Sequence, residues 1–518
     1  MALTSLDITV FAAYCILLIG IAWWVSREKA GHQRDSSDYF LAGNTLPWWA
    51  IGTSLIASNI SAEQIIGMSG SGYAIGLAIA SYEWMGAITL IVIGKYFLPT
   101  FLDKKIYTMP QFLAQRFDKN VQLVMAFFWL AVYTFVNLTA VLYLGALAIK
   151  TVAGIDMIYG MLFLALFSVA YSLYGGLKAV ALTDILQVAL LVFGGLLVTY
   201  LALDTIAEGG GVVTGFGMLL ERVPQSFDMI LSPEHEDYVS LPGISVLVGG
   251  LWVMNLSYWG FNQYITQRTL AAKSLREAQK GITLAAFLKL LMPALVVLPG
   301  IAALVLAPNL ERPDQAYPEM MKLVPAGLLG LTFAALVAAI ASSLGSMANS
   351  ISTIFTMDIY RQLVKNPPSE KRLVTIGRLA ALVAMVIAMV IAQPLLGQME
   401  QAFQYIQEFT GFFTPGVVAI FLLGFFYKKA NANSALVAGI SSVVLSALAR
   451  IFWPELPFMD RVGLVFVACL LLGMAFAGKE HSENAIHTDQ VDYSTSSGFN
   501  ISAVCISLIL IALYWAWW

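Results

Sequence analysis

Two blocks of polar residues interrupt apolar segments of this sequence, and their side chains are of the types that bind polar solutes. The first block, from Ala57 to Gln64, contains two serines, two amides and a carboxylate. The second block, from Asn255 to Gln263, contains amides and a serine beside three aromatic residues. Because amides and hydroxyls both donate and accept hydrogen bonds, these blocks favour a ligand that carries many hydroxyl groups.

Four further polar side chains lie inside apolar segments: Glu83, Asp184, Lys289 and Gln407. Ionisable groups are costly in hydrocarbon, so they are retained where they face a cavity, a partner or a functional site. Glu83 and Lys289 could offset each other, and the candidate core segments contain no arginine of the kind that binds anions bidentately. These residues favour a neutral polyol over a carboxylate ligand.

Each of these residues also has an explanation that involves no ligand. A single amide such as Asn59 is explained by hydrogen bonding between helices, but four polar residues within Asn59–Gln64 are more than packing requires. Lys289 could snorkel to the membrane surface, although it lies deep in its segment. For Asp184, close to one end of its segment, a solvated acid is an equal alternative.

A pair of hydroxyls, Ser342 and Ser343, lies in another apolar segment. Serines in membrane helices often bond to the backbone one turn earlier, so the pair alone is a weak signal. Sodium, however, prefers hard oxygen donors, and hydroxyls together with the freed carbonyls of an interrupted helix would supply them. The sequence leaves open whether these groups converge.

The composition predicts the elements that hold these residues. The chain is 59% hydrophobic and 11% charged, against roughly 25% charged residues in soluble domains. Apolar segments of about 20 residues, the length that crosses a bilayer, recur along it. The sequence predicts an all-α protein in a lipid bilayer, with about 14 transmembrane helices. The predicted spans are 6–26, 48–75, 77–100, 121–149, 155–174, 179–203, 242–267, 281–307, 324–360, 374–397, 403–427, 433–453, 459–478 and 498–517.

Lysine and arginine residues are concentrated in one set of alternate loops, which the positive-inside rule assigns to the cytoplasm. With an even number of helices, both termini are then expected on the extracellular or periplasmic side of the cell membrane. The net charge is −3 and no basic tract occurs, so nucleic acid is not expected as a partner.

The two polar blocks lie in the second and seventh predicted helices, so each opens a unit of five helices. Polar helices interrupted at matching positions of two halves are typical of transporters built on inverted repeats. The sequence thus predicts an extra helix and cytoplasmic loop (1–47), a first repeat (48–203), an acidic extracellular loop (204–241), a second repeat (242–427) and C-terminal helices (428–518).

Chemistry of the enzymatic kind is not indicated by any motif. The three cysteines stand singly in apolar segments, and no cysteine or histidine pair has the spacing of a metal site. No nucleophile or acid/base pair occurs in a specific motif. The sequence therefore predicts neither an enzyme nor an organic cofactor.

Several longer motifs resemble the solute:sodium symporter family, and together they cover nearly the whole chain. They are residues 59–64, 67–72, 80–84, 258–264 and 402–408. The resemblance implies a LeuT-like fold, with one helix before two inverted five-helix repeats and three helices after them. It also implies inward sodium movement coupled to uptake of a neutral monosaccharide by alternating access. Alternatives are a symporter of the same fold for inositol, an amino acid or a sialic acid, or a sensor or uncoupled channel.

The resemblance also implies roles for individual residues. It assigns sugar contacts to Asn59, Gln64, Glu83, Asn255, Lys289 and Gln407. An inner gate would consist of Tyr258, stacked under the sugar, and Trp259, steadied by Asn59 and Asn262. An outer hydrophobic gate would consist of Met68, Tyr82 and Phe403. Sodium would bind the carbonyls of Ala57, Ile60 and Ala339 and the hydroxyls of Ser342 and Ser343, and would leave past Asp184.

Two positions depart from the family pattern. Gly86 stands where a sugar-contacting serine is expected, and Ser257 stands where a tyrosine is expected beside the inner gate. The loss of a hydroxyl donor could change the preferred epimer or make room for a larger sugar. The class of ligand is little affected, whereas the choice of sugar is left open.

Overall fold

The computed structural model describes residues 3–25, 42–106, 108–172, 176–366, 368–397, 401–486 and 490–518. Over these ranges the chain is helical, without a strand and with one isolated bridge between Leu46 and Ala272. The loop predicted to follow the first helix falls largely on 26–41, outside the described residues.

The α-helices are α1 (Ser5–Val25), α2 (Trp48–Asn59), α3 (Met68–Ile75), α4 (Ser81–Tyr96), α5 (Leu98–Asp103), α6 (Met109–Arg116), α7 (Lys119–Ala131), α8 (Thr139–Ala153), α9 (Met157–Ser172), α10 (Gly176–Ile206), α11 (Val212–Arg222), α12 (Gly243–Val248), α13 (Gly250–Leu256), α14 (Gln263–Leu270), α15 (Leu275–Leu306), α16 (Ala316–Met321), α17 (Leu328–Ile354), α18 (Arg361–Leu363), α19 (Glu370–Leu396), α20 (Ala402–Gly411), α21 (Thr414–Phe426), α22 (Ala432–Phe452), α23 (Phe458–Ala475) and α24 (Ser497–Ala516). Turns of π-helix occupy Glu63–Gly67, Val132–Leu138, Ser257–Phe261 and Phe355–Tyr360. Turns of 3-10 helix occupy Ala42–Asn44, Leu77–Ala80, Pro224–Phe227, Glu236–Val239 and Pro313–Gln315.

The described residues form a multi-pass membrane protein. Nine of their helices are long and apolar enough to cross a bilayer, or up to 11 if each of two bent pairs counts as one span. The bent pairs are Glu236–Val248 with Gly250–Phe261, at 78°, and Ala402–Gly411 with Thr414–Phe426, at 45°. The membrane class and the all-helical fold are confirmed, whereas the count of fourteen spans stays a prediction.

The spans divide into central and peripheral helices. In Leu77–Tyr96 and Leu328–Leu363, 89% of the most apolar stretch is buried inside the protein. The corresponding share is 22% in Ala432–Phe452 and 17% in Ser497–Ala516. The first two helices are therefore part of the core that positions a site, and the last two present most of their apolar surface to lipid.

Both helices that carry the polar blocks are interrupted. Helix α2 ends at Asn59, and Ile60 has ψ 78°, far from the value of about −42° in an α-helix. In the second helix, Asn262 is extended, with φ −83° and ψ 124°, between the π-helical turn Ser257–Phe261 and α14. Irregular backbone at membrane depth occurs where it is enclosed by protein or lines a cavity.

Helix α15 packs against α2, α3, α4 and α10, and glycines allow the backbones to approach closely. A Cβ atom would lie 2.7 Å from the Gly281 carbonyl oxygen if added at Gly52, and 2.1 Å from the Ser69 carbonyl oxygen if added at Gly300. Apolar side chains gain nothing by leaving lipid for another helix, so close backbone packing at small residues drives such contacts. These glycines hold the interrupted helix against α15.

We expect Gly300→Ala to destabilise the protein. The added methyl group would push α15 away from Ser69, and overpacking of this kind typically costs about 1–3 kcal/mol. Gly20→Ala in α1 is the matched control, because nothing lies within 4 Å of its added Cβ atom. Thermal unfolding in detergent should show a lower midpoint for Gly300→Ala and an unchanged or slightly higher one for Gly20→Ala. Equal midpoints would contradict the proposed role of the close contact.

Candidate functional site

A cavity lies at the two helix interruptions, between α4, α15, α20 and α21. It is lined by Asn59, Glu63, Gln64, Tyr82, Glu83, Met254, Asn255, Ser257, Tyr258, Trp259, Asn262, Lys289, Phe403, Gln407, Thr410 and Thr414. All seven residues predicted to contact substrate are in this wall. The cavity is the place where residues distant in the sequence meet, so it is the candidate site.

An ion pair occupies one side of the cavity. Lys289 Nζ contacts Glu83 Oε2, and both side chains are only 1% exposed. Lys289 also donates to Asn59 Oδ1 at 2.6 Å, and Gln64 Nε2 donates to Glu83 Oε1 at 2.9 Å. The Lys289 ammonium lies 5.0 Å from the centre of the Trp259 ring. The pair therefore cancels its own charge, and the amides around it satisfy the remaining atoms.

The Tyr258 hydroxyl links the two interrupted helices. It accepts hydrogen bonds from Asn59 Nδ2 at 3.2 Å and from the Tyr264 hydroxyl at 2.8 Å. Since both bonds are accepted, the Tyr258 hydrogen is still available to a ligand. The Tyr258 and Trp259 rings meet edge to face, with centroids 5.1 Å apart.

The structure brings Asn59 to Tyr258, but it gives Asn262 a different partner. Asn262 Oδ1 accepts from the Tyr133 hydroxyl at 2.5 Å, and that hydroxyl also accepts from the Gln263 amide. Asn262 thus anchors the extended residue of the second interruption to the π-helical turn Val132–Leu138. Its effect on Tyr258 is indirect, through the backbone.

Two aromatic rings, those of Tyr82 and Phe403, also line the cavity. Tyr82 and Phe403 meet edge to face, with centroids 5.2 Å apart. Met68 is fully buried but does not line the cavity. The structure therefore brings two members of the predicted outer gate together in the cavity wall and leaves the third outside it.

The interruption of the first helix frees backbone oxygens. The Ser61 amide donates to Asn59 O at 2.8 Å and the Gln64 amide donates to Ser61 O at 3.2 Å. In a continuous helix these amides would bond to Ala57 O and Ile60 O. Two of the three carbonyls predicted to bind sodium, those of Ala57 and Ile60, thus lack their helical donors.

The two serine hydroxyls predicted to bind sodium lie beside this interruption, but they have different hydrogen-bond partners. Ser343 Oγ is 3.5 Å from Ser58 O in α2. Ser342 Oγ donates to Asp184 Oδ1 at 2.5 Å, and Asp184 Oδ2 accepts from Ser54 Oγ at 2.6 Å. Ala339 lies one turn before Ser343 on α17. Asp184 is fully buried, so the solvated acid that the sequence left open is excluded.

Arg268 is a functional candidate that the sequence interpretation missed. Because lysine and arginine residues were assigned to cytoplasmic loops, Arg268 was expected in one of them. In the structure it is fully buried at the end of α14. Its guanidinium donates to Ser54 Oγ at 3.1 Å and also contacts Tyr264 O and Ser346 Oγ. The available signal was Asp184 itself, because a buried carboxylate requires a cationic partner.

Thr410 and Thr414 were also missed, together with Met254. Gln407, Thr410 and Thr414 are spaced i, i+3 and i+7, which in a continuous helix would share one face. This spacing could have assigned them to the same wall as Gln407.

Gly86 packs against three residues that line the cavity. A Cβ atom at this position would be 3.0 Å from Trp259 Nε1, 3.2 Å from Asn255 Oδ1 and 3.3 Å from Lys289 Cε. Any side chain here would project into the hydrogen-bonding network. The glycine therefore lets Trp259, Asn255 and Lys289 pack closely against the backbone of α4.

Comparisons with known proteins identify similar sequences and folds. Residues 39–441 match the model of the sodium:solute symporter family. The chain is 50% identical to the sodium/glucose cotransporter of Vibrio parahaemolyticus, over 100% of this chain and 99% of that protein. It is 33% identical to human sodium/myo-inositol cotransporter 2, over 85% of this chain and 69% of that protein.

A solved structure of a Na⁺-coupled sialic acid symporter, in a substrate-bound outward-open state, has a similar fold. The TM-score is 0.80 at 23% sequence identity, and the match covers 92% of this chain and 100% of that one. The likeness concerns the fold, since the identity is low.

Proposed function

The chain belongs to the sodium:solute symporter family, and from that premise we propose that it couples inward sodium movement to the uptake of a neutral monosaccharide. It is a multi-pass membrane transporter and not an enzyme. The named relatives act with sodium on glucose and on myo-inositol, both of which are neutral polyols.

The observation that carries the proposal is the buried network of Gln64, Glu83, Lys289, Asn59 and Tyr258. Its charges cancel within the ion pair, while its amides and hydroxyl offer both donors and acceptors. A hexose can replace such contacts with its own hydroxyls without bringing in charge. A carboxylate ligand would find no uncompensated cation here, which favours a neutral sugar.

In the proposed mechanism, sodium binds first from outside and holds α2 against α17. Its ligands would be Ala57 O, Ile60 O and Ala339 O with the hydroxyls of Ser342 and Ser343. The ordered interruption then completes the sugar site, because Asn59 and Gln64 directly adjoin it. The coupling is a difference in affinity, since sodium shifts the conformational equilibrium only by binding one state better.

The two gates then move one after the other: the outer gate closes over the sugar before the inner gate opens. Sugar contacts Gln64, Glu83, Asn255, Lys289, Gln407 and Asn59, and the outer gate of Met68, Tyr82 and Phe403 closes over it. Movement of one helix bundle opens the cytoplasmic side, and sodium leaves past Asp184. Displacement of Tyr258, which packs on Trp259 and is steadied directly by Asn59 and indirectly, through the backbone, by Asn262, releases the sugar.

The proposed architecture has fourteen spans, with both termini on the extracellular or periplasmic side. Two inverted repeats, 48–203 and 242–427, would place their interrupted helices at corresponding positions. The segments 1–47, 204–241 and 428–518 would form the preceding helix with its loop, the outer acidic loop and the following helices. The paired interruptions at Ile60 and Asn262 support this arrangement.

Uptake of radiolabelled glucose and galactose into proteoliposomes tests the proposal. We expect accumulation with an inward sodium gradient and none with an equal potassium gradient. Equal uptake in the two gradients would overturn sodium coupling. Thermal stabilisation by inositol, amino acids and sialic acid, with and without sodium, separates the alternative cargoes. Binding without flux would indicate a sensor, and current without substrate would indicate a channel.

A further inference from the structure

An apolar groove runs along the outer surface of the helices, between α19 and the π-helical turns Val132–Leu138 and Phe355–Tyr360. None of its described lining residues also lines the sugar cavity. Twelve of its fourteen lining residues are aliphatic or phenylalanine, so the groove suits hydrocarbon and not a polar solute. Phe127, Leu379 and Val383 in its walls are half-exposed. The groove is therefore open to lipid.

The groove has the length of one bilayer leaflet. On α19 its lining extends from Ile376 to Ile387, which is about 16 Å along a helix. The hydrocarbon core of a bilayer is about 30 Å thick, so that one leaflet contributes about 15 Å. The groove therefore matches an acyl chain that stays within one leaflet.

Basic residues lie at one end of the groove. Tyr360 and Ile376, at this end of the lining, flank the connection between α17 and α19. Residues 361–378, which form this connection and the first turns of α19, contain five basic residues and one acidic residue. The positive-inside rule assigns such a connection to the cytoplasmic side, where the membrane surface carries anionic lipids. The excess positive charge thus complements an anionic headgroup.

Tyr360 and Arg372 supply polar groups at the same end. Tyr360 lines the groove, and its hydroxyl oxygen is buried without a hydrogen-bond partner among the described residues. A buried hydroxyl without a partner is costly. The Arg372 guanidinium carbon lies 5.9 Å from the centre of the Tyr360 ring, and the Arg372 side chain is exposed. A guanidinium fits phosphate oxygens with its planar fork of donors. A hydroxyl and a guanidinium are thus available to one phosphate group.

A second groove on the outer surface, beside α13 and α23, has the opposite charge. Its lining includes the exposed residues Val248 and Leu464, and the ionisable side chain in that lining is Asp460. An anionic headgroup would be repelled there. The groove at Tyr360 therefore differs from a merely apolar surface by the charge at its end.

The groove at Tyr360 also borders a turn that anchors the second helix interruption. Thr134 and Phe135 line the groove, and both belong to the same π-helical turn as Tyr133. The Tyr133 hydroxyl donates to Asn262, the extended residue of the interruption. A molecule packed in the groove would therefore support this turn from outside.

We propose that this groove binds an anionic phospholipid of the cytoplasmic leaflet. One acyl chain lies against Phe135 and Val383, and the phosphate is bound by Arg372 and the Tyr360 hydroxyl. The bound lipid packs on the turn Val132–Leu138 and stabilises the folded protein.

Native mass spectrometry of the full chain in detergent, titrated with phosphatidylglycerol or with phosphatidylcholine of the same acyl chains, measures the affinity for the first bound lipid. We expect the wild type to bind phosphatidylglycerol more tightly. Arg372→Gln should weaken phosphatidylglycerol binding about fivefold, the contribution of one basic residue near a membrane surface, and leave phosphatidylcholine binding unchanged. Arg276→Gln is the matched control, because Arg276 is an exposed arginine on another helix, α15; its affinities should equal those of the wild type.

Val383→Trp tests the apolar part of the site. The indole ring would fill the groove and weaken binding of both lipids about tenfold, because displacing two methylene groups already has an effect of that size. Val386→Trp is its control, since Val386 is 48% exposed on the same helix, against 50% for Val383, but does not line the groove. Phosphatidylglycerol should raise the thermal unfolding midpoint of Val386→Trp by mass action and leave that of Val383→Trp unchanged.

Three results would overturn the proposal. The first is equal affinity of the wild type for the two lipids, and the second is an unchanged affinity in Val383→Trp. The third is displacement of bound phosphatidylglycerol by an equal concentration of glycerol 3-phosphate, because a free headgroup that competes so well makes no use of the groove.

Discussion

Lys289→Met is expected to abolish sodium-driven sugar uptake and to destabilise the protein. The substitution leaves Glu83, which is 1% exposed, without its cation, and it removes the donor to Asn59 Oδ1. Breaking a buried ion pair by removing one partner costs about 3–5 kcal/mol. The sugar would also lose a charged donor at the centre of its site. Thermal unfolding in detergent and glucose uptake in proteoliposomes measure the two effects.

The double variant Glu83→Gln with Lys289→Met separates stability from binding. It removes both charges, so the unfolding midpoint should return towards that of the wild type, while sugar uptake stays absent. Lys322→Met is the surface control, because the Lys322–Glu319 pair is 36% and 28% exposed and such pairs contribute little. Near-normal uptake by Lys289→Met would show that the sugar binds elsewhere.

The sequence predicted the ion pair because physics leaves few alternatives for charges in hydrocarbon. Glu83 and Lys289 stand in different apolar segments, and each needs an opposite charge. The interruption near Asn59 was predicted on similar grounds, since its polar residues would be costly in a continuous lipid-facing helix. For these residues, composition and spacing were enough to identify the partners.

Other contacts depend on how helices distant in the sequence pack together. Arg268 is basic and near a helix end, so its charge alone indicated a loop, yet it reaches Ser54 and Ser346 on two other helices. Asn262 was expected to steady Tyr258 but bonds to Tyr133. The π-helical turns leave no clear pattern in the sequence, although they determine which side chains face the cavity. Such features follow from tertiary packing.

Ser343→Ala is expected to weaken sodium dependence selectively. Ser343 Oγ lies 3.5 Å from Ser58 O, beside the Ala57 and Ile60 carbonyls that the interruption frees. Loss of one oxygen ligand from a buried cation site costs about 1–3 kcal/mol, or roughly a 5- to 150-fold change in affinity. The sodium concentration for half-maximal glucose uptake should rise by that factor, while the glucose affinity at saturating sodium changes little.

Two substitutions test whether this effect belongs to the site. Ser352→Ala removes a hydroxyl that is also fully buried on α17 but has no hydrogen-bond partner, so its sodium dependence should match the wild type. Gln64→Ala should show the reverse profile, with weaker glucose binding and nearly unchanged sodium binding, because Gln64 bonds to Glu83 in the cavity wall. Normal sugar accumulation by both Ser343→Ala and Gln64→Ala would mean that both sites are misplaced. A sodium shift in Ser352→Ala as large as in Ser343→Ala would assign the effect to the packing of α17, since the two serines share only that helix.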